Sequence, residues 1–447
     1  MNILSVNAHE SYGGAARIAI NLHKNLRLRN HNAFYAVKKK KNIDPFTFAI
    51  PVLPPRPGIW TKRFWQLRDH FKNNSNGFFS KAALWLFTVL ADPKSDFERR
   101  IGHEIFQYPG SRKILELPPI KPDILHLHNL HNNYFDLNYL RELSTKLPVV
   151  LTLHDEWLLT GHCAAPLECP RWETGCGHCP DLKIYPAIPM DGTRFNWRRK
   201  QKIYADSRLF VAAPSEWLMK RARRSMLAPA IVESRVIPNG VDQEIFKPAD
   251  KIMIRRELGL DPSAKIILVQ TGGNFRANPF KDFETTRQCV SILLEKRQEK
   301  ILILAIGPLE QEITFQSYRV KIFPFASSQE LLAKYYQAAD VFLHSAFSDN
   351  FPSVILESLS SGTPVIATAV GGIPEQVKDG ENGFLVEKKN PTAMANKAMD
   401  ILNDSAFQKQ LGEGALSSSR PNYSLERMVD RYEAWYCEIL DRQTGIL

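Results

Sequence analysis

Residues 347–386, FSDNFPSVILESLSSGTPVIATAVGGIPEQVKDGENGFLV, leave the chain few folds to choose from. Pro352 marks the first turn of a helix over 352–361, since its missing N–H and fixed φ suit that position. Gly362 closes the helix, because a helix end often needs a residue at positive φ. Thr363-Pro364 then turns the chain into VIAT, a short apolar run that reads as a buried strand, and Gly371-Gly372 follows where that strand ends. The start of such a helix offers unpaired N–H groups and partial positive charge, which suit a diphosphate. Asp349 precedes the helix and Glu357 lies inside it, and one acid near a sugar's hydroxyls with one near a ribose would explain two acids eight positions apart. Asn350, Phe351, Pro352 and Ser353 stand at this helix start, and Gly371 and Gly372 let backbone approach a ligand with no Cβ in the way. The plain alternative is a well-capped helix of any α/β domain, with Glu357 solvated.

At 447 residues the chain is long enough for two to three domains, each with its own core. The opening MNILSVN has no basic segment or cleavage site of a signal peptide. The longest apolar run, 82–91, falls short of the ~18 residues a spanning helix needs. The net charge of +11 is clustered: 38–41 are four lysines, and 194–224 hold ten basic residues against Asp206 and Glu216. Such patches attract anionic lipid or nucleic acid, or form a solvated face. No nucleic-acid-binding motif surrounds them, so an anionic membrane surface is the better functional partner.

Residues 1–7 read as a first strand, 9–16 as a glycine loop containing Gly13 and Gly14, and 17–28 as a helix with Ile18, Leu22 and Leu26 on one face. That is the opening of a doubly wound α/β domain, and its loop lies at the ligand end of the sheet. Residues 34–37 form the second strand. The irregular 51–119 segment interleaves basic residues with Trp60, Phe64, Trp65, Phe71 and Trp85, which suits an interfacial helix pair or a packed insertion. His126 and His128 alternate with leucines on a strand and share one face, either as part of an acceptor-site wall or as structural residues. After the strand at 149–153, His154 stands at the ligand end of the sheet, where an imidazole can meet a sugar hydroxyl or developing charge and Asp155 could fix its tautomer.

Cys163, Cys169, Cys176 and Cys179 hold four of the six cysteines in seventeen positions, as C-x5-C-x6-C-x2-C. Four thiolates so spaced suit a structural Zn²⁺, with His162 and His178 as substitutes. Reduced thiols and loop-stapling disulfides are the alternatives. A site closed by four cysteines would not be catalytic but would pin the loop after His154.

Residues 210–213 form a strand, Ser215 caps the next helix, and 236–242 read as a strand ending in a tight turn. The run 266–270 opens a second doubly wound domain. Its following loop carries Gly272 and Arg276, with Lys281 five positions further on. Two fixed cations there can offset charge on a leaving diphosphate, as a divalent metal would elsewhere. Further buried strands lie at 301–307 and 340–345, and 423–440 is an amphipathic helix.

Taken together, D-x7-E, SGTPVIA, GGIPEQV and DGENGFLV resemble the donor-site signature of retaining GT-B glycosyltransferases of family 4, with Asp349 where the family has Glu. The match is strong over 236–386 and looser over 1–180, where HDxW and TGHC…GCGxCP resemble enzymes of bacterial exopolysaccharide and capsule assembly. The resemblance implies two Rossmann-like domains facing across a cleft: 1–245 for the acceptor, 246–420 for the donor, and 421–447 as a helix returning to the first. It implies transfer from a UDP- or GDP-sugar, with Arg276 and Lys281 on the diphosphate, Glu357 on the ribose, Asp349 on the sugar and His154 facing the sugar. Gly13, Gly14, Gly272, Gly371 and Gly372 approach the donor, and no cofactor is required. The implied acceptor is a polyprenyl-diphosphate-linked glycan at the inner face of the cytoplasmic membrane. A GT-B nucleotide-sugar epimerase and a non-catalytic sugar-nucleotide or glycan-binding protein are the other readings.

Overall fold

The computed structural model describes residues 1–74, 78–270, 278–296, 301–307, 311–315, 318–324, 326 and 328–443. The chain divides into two compact units, Met1–Ala213 with Met219–Val236 and Glu433–Leu447, and Pro214–Leu218 with Ile237–Tyr432. The main division falls after Val236 and not after residue 245, and neither unit is continuous in sequence.

The first unit is built on a seven-stranded sheet of order β3-β2-β1-β4-β5-β6-β7. Its strands are β1 (Asn2–His9), β2 (Asn32–Lys39), β3 (Thr47–Ala49), β4 (Ile124–Leu127), β5 (Val149–Thr152), β6 (Leu209–Ala213) and β7 (Ile231–Val236). Every pair is parallel. Strands covered on both faces must be apolar throughout, and Ile3, Leu4, Val6, Ile124, Leu125 and the run Val149, Val150, Leu151 are all buried. The strand order reverses between β1 and β4, which puts the ligand-binding crevice of this sheet beyond their C-terminal ends. β1 runs on to His9, which pairs with Lys39. The strand expected at 236–242 is instead β7 ending at Val236, followed by a loop. Pro238 cannot donate to a ladder, and the Asn239 side chain is occupied by the Phe351 carbonyl at 3.1 Å.

The segment after β3 forms three helices, Ile59–Asn74, Phe78–Ala91 and Pro93–Arg100. The first two are the expected pair, and their rings interleave: Trp60 and Phe64 lie 4.6 Å apart, Phe71 and Phe87 5.4 Å. Among the described residues no helix is long and apolar enough to cross a membrane.

The second unit holds a seven-stranded sheet of order β10-β11-β9-β8-β12-β13-β14. These strands are β8 (Lys265–Gln270), β9 (Ile301–Gly307), β10 (Gln311–Phe315), β11 (Tyr318–Pro324), β12 (Val341–His344), β13 (Val365–Thr368) and β14 (Gly383–Val386). Only the edge pair β10–β11 is antiparallel. Alternate residues of one strand feed two cores: Ile266 and Leu268 join one cluster, Ile267 and Val269 the other. Both faces of the sheet are therefore covered, as a period-two side chain in a doubly wound sheet requires. The order reverses between β8 and β12. The final helix, Leu425–Gln443, starts in the second unit and ends in the first.

Candidate functional site

In the second unit, β12 delivers the chain to the reversal point of the sheet, and residues 345–352 lead into the helix Ser353–Ser360. Pro352 stands at its N-cap with φ −67°, and Gly362 adopts φ +78° after its end, so both boundary residues serve as their chemistry dictates. Phe351 is buried and holds the loop to the core. Asn350 and Ser353 flank the helix start.

Asp349 is the hub of this loop. Lys281 Nζ donates to its Oδ2 at 2.5 Å, and His344 Nε2 lies 3.3 Å from the same oxygen. Burial alone would raise the Asp349 pKa, but the Lys281 ammonium and the His344 contact overcome it and hold the carboxyl far below its usual range. His344 is pushed down by burial and then by Lys281, so the imidazole is neutral at neutral pH. A lysine, a carboxylate and an imidazole are thus locked together at the C-terminal end of β12. The Lys281 and Asp349 side chains keep 22% and 19% of their surface exposed. Glu357, expected on a wet helix face in the plain reading, is buried at 1% exposure and accepts a hydrogen bond from Tyr336 Oη at 3.1 Å. Arg276 and Gly272 lie outside the described residues.

The glycine pair has a structural reason of its own. Gly371 has φ +60°, and a Cβ there would sit 1.8 Å from the Asp349 carbonyl oxygen. A Cβ on Gly372 would come within 2.0 Å of the Asn350 carbonyl oxygen, and its N–H donates to the Asp349 carbonyl at 3.1 Å. The close approach is therefore to the loop carrying Asp349, which these glycines hold in place. Glu375, just beyond, caps the N-terminus of the helix Glu216–Arg224 by accepting from the Glu216 and Trp217 N–H groups at 2.9 and 2.8 Å. Ser215 Oγ accepts from Leu218 N at 3.2 Å, as its N-cap position predicts.

In the first unit, Gly13 has φ +88° and stands with Gly14 where an added Cβ would meet nothing within 4 Å, so this loop is open. Four histidines gather beyond β4 and β5. His154 Nε2 lies 3.0 Å from His128 Nδ1, and burial pulls the His154 pKa down to about 4. Asp155, expected to fix the His154 tautomer, faces His131 Nε2 at 2.7 Å and accepts from Trp157 N at 2.9 Å. His126 and His128 are no exposed wall. Both are buried, and His126 is enclosed between Thr152 Oγ1 at 2.7 Å and Tyr436 Oη at 2.6 Å.

The four cysteines and His162 line one cavity of ≈ 20 Å³. Even so, no three His, Cys, Asp or Glu side chains among the described residues form a group that could hold a metal ion, and all four thiols are free. Burial pushes Cys163 up to about 12 and Cys176 up to about 11, so both are neutral thiols at neutral pH when no ion is bound. Cys176 Sγ accepts from Gly161 N at 3.3 Å, and Cys179 Sγ donates to the Asp181 carbonyl at 3.4 Å. The loop after His154 is pinned by a residue that the sequence hides inside its basic run. Lys200 is fully buried and donates to the Trp157 and Thr160 carbonyls at 2.8 and 3.0 Å, with Glu104 3.1 Å away. Arg221 likewise turns inward to Glu156, so this run is not wholly a surface patch. A lysine followed downstream by aromatic spacing gave no signal of this, since its partners come from the preceding loop.

Two parallel doubly wound sheets, each with its polar side chains at the reversal point, define the architecture of the GT-B glycosyltransferases. Family comparison gives the same answer from sequence: residues 86–245 match the Glycosyltransferase Family 4 model and residues 254–417 the Glycosyl transferases group 1 model. The chain belongs to the family 4, group 1 glycosyltransferases. Among curated relatives, the N-acetyl-alpha-D-glucosaminyl L-malate synthase of Bacillus anthracis is 27% identical over 46% of this chain and 54% of its own length. The Escherichia coli (strain K12) protein WcaC, named for colanic acid biosynthesis as a glycosyl transferase, is 26% identical over 70% of this chain and 76% of its own. The match thus spans about half the length of several curated relatives. Anabaena HepE in complex with UDP superposes with a TM-score of 0.62 at 16% identity, covering 98% of this chain and 100% of that one.

Proposed function

We propose that the chain transfers a glycosyl group from a nucleoside diphosphate sugar to a hydroxyl of a glycan acceptor, with retention of anomeric configuration. The observation that carries this reading is the Lys281–Asp349–His344 cluster at the C-terminal end of β12, directly ahead of a helix N-terminus. Lys281, with Arg276, offsets the charge that develops on the leaving diphosphate. Asp349 holds Lys281 in place and accepts a hydroxyl of the sugar, and Glu357 serves the ribose. In the first unit, His154 is a neutral imidazole, as a group that meets a sugar hydroxyl needs to be. The acceptor hydroxyl attacks C1 on the face that the diphosphate leaves. The C1–O bond breaks with its electron pair going to the diphosphate, and the hydroxyl proton passes to that departing phosphate oxygen. UDP is supported as the nucleotide by the HepE complex, and a lipid-linked glycan of polysaccharide biosynthesis as the acceptor by the likeness to WcaC. Contact with an anionic membrane at the cytoplasmic face accompanies such an acceptor.

The test is thermal stabilisation of the full chain by UDP-, GDP-, ADP- and dTDP-sugars at millimolar concentration, with Lys281→Ala beside the native protein. A rise in Tm with one nucleotide, lost in the variant, identifies the donor class. No rise with any of them overturns the donor site. Turnover of a bound donor with no acceptor present would instead reveal an epimerase.

A further inference from the structure

A cavity of ≈ 380 Å³ opens in the first unit between the end of β2, the helices Ile59–Asn74 and Phe78–Ala91, and the loop after β4. Its volume lies within the ~300–1,000 Å³ of ligand pockets. The glycosyl-transfer chemistry described above uses none of its residues.

Its lining has two parts. One is apolar, with Ile50, Leu53, Trp65 and Leu84. The other is cationic: Lys38, Lys39, Arg68, Lys72 and Arg99 line it with one carboxylate, Asp92, which Arg56 already holds at 3.3 Å, while Arg68 is paired with Asp69. Lys39 and Lys72 are exposed at the rim, while Lys38 is half-buried and its Nζ donates to the Asn132 carbonyl at 2.6 Å. Burial, then repulsion by Lys39 and Lys72, lowers the Lys38 pKa, which an added anion would relieve. The Trp65 indole N–H is enclosed and has no hydrogen-bond partner among the described residues. On the same two helices, Ile59, Trp60 and Trp85 expose 88%, 62% and 58% of their surface.

An apolar chamber with an excess of cations fits an amphiphile that has a hydrocarbon chain and an anionic head. Position adds to this. Lys38 and Lys39 end β2 on the ligand side of the sheet, and the Asn132 that holds Lys38 follows His131, which pairs with Asp155 beside His154. We propose that this chamber receives the first part of the hydrocarbon chain of a lipid phosphate, with the phosphate between Lys38, Lys39 and Lys72. That lipid is the carrier of the acceptor glycan, and this last identification rests on the glycosyl-transfer reading. The exposed Trp60 and Trp85 of these two helices rest on the bilayer from which the lipid emerges.

The experiment is calorimetric titration of the full chain with farnesyl diphosphate, farnesol and inorganic pyrophosphate, and separately with the nucleotide sugar that stabilises it. Farnesyl diphosphate is expected to bind at least about tenfold tighter than pyrophosphate or farnesol. Two changes weaken it by about tenfold or more, the rim double variant Lys39→Glu/Lys72→Glu and the cavity-filling Leu84→Trp, while nucleotide-sugar affinity stays unchanged in both. Equal binding of pyrophosphate and farnesyl diphosphate overturns the chamber, as does unaltered binding in both variants. Displacement of farnesyl diphosphate by phosphatidylglycerol vesicles at equal lipid phosphate overturns the carrier as the occupant in favour of bulk lipid. A chain that binds farnesyl diphosphate this way but no nucleotide sugar keeps the chamber and sinks the transfer reading, whereas the opposite result sinks the chamber alone.

Discussion

His128 Nδ1 and His154 Nε2 lie 3.0 Å apart, and the far nitrogen of His128, Nε2, is enclosed with no partner among the described residues. An enclosed N–H without an acceptor is rarer than an enclosed lone pair without a donor. The hydrogen-bond network therefore assigns the proton to His128 Nδ1, donating to His154, and places the His154 proton on Nδ1. Replacing His128 with phenylalanine keeps the ring volume and removes the donor. Turnover should fall at least about tenfold with little change in donor KM, because His128 acts through His154 as a positioning residue. An unchanged kcat would show that the His154 tautomer is fixed by something else.

The acid behaviour of the first unit follows from its enclosed imidazoles. Burial lowers His154 and His23 to about 4 and His126 to about 3, against an ordinary value of 6.5. The unfolded chain binds protons at these sites before the folded chain does, so their stabilising contribution is complete above pH 6.5 and is lost as pH falls from there through 4. Shifts of this size correspond to roughly 3–5 kcal/mol each. Tm measured across this range should drop with acidity, and His23→Phe should flatten the slope. A Tm indifferent to pH over the same interval would contradict it.

Asp349 carries the same sign in a more acidic window. The Asp349 pKa is depressed, so its contribution is present above the ordinary value of 3.8 and vanishes only as pH falls below that toward the folded value. Lys281→Met leaves Asp349 without its ammonium in a mostly buried loop. A loss of about 1–3 kcal/mol in stability is expected. Turnover should fall roughly 10²–10³-fold, since a fixed cation at the leaving group is removed as well. Chemical denaturation and steady-state kinetics on the same variant separate the two effects.

Gly371→Ala and Gly372→Ala should each displace the Asp349 loop, since the new methyl would stand 1.8 or 2.0 Å from a backbone oxygen. Overpacking of this kind costs about 1–3 kcal/mol. The visible consequence should be a nucleotide-sugar affinity that falls further than stability does. If affinity is retained while Tm drops, the loop does not serve the donor.

Thiol labelling checks the cysteine cavity. Cys437 is exposed, whereas Cys163 is buried and its thiol is pushed up to about 12. Under native conditions at neutral pH, Cys437 should label well before Cys163, which should react only on unfolding. Early reaction at Cys163 would refute the enclosed, protonated thiol.

Which of these features the sequence discloses depends on how far apart the partners stand. The helix Ser353–Ser360, its closing Gly362 and the strand Ile301–Gly307 are local, and propensity and apolar run length are enough to place them. The carboxylates of the donor loop were legible because the surrounding motif is dense. The Lys281–Asp349 pair was not, since 68 positions separate its members and spacing alone says nothing of their meeting. Lys200 was invisible for a related reason. Among ten basic residues it looks like surface charge, and only the packing of Trp157 and Glu104 around it makes it interior. The four cysteines do line one cavity, as their clustering in the sequence suggests.

Tyr436 and His126 stand 310 positions apart in sequence, and their side chains meet at 2.6 Å inside the first unit. During synthesis, the imidazoles beside β4 are therefore made long before the hydroxyl that encloses them. Until the helix Leu425–Gln443 has been translated, the earliest sheet of the molecule has an unsealed polar flank, and closing it waits on a loop longer than the whole second unit. A nascent chain halted anywhere before that helix should remain an open, protease-sensitive species, although most of its strands have already been made.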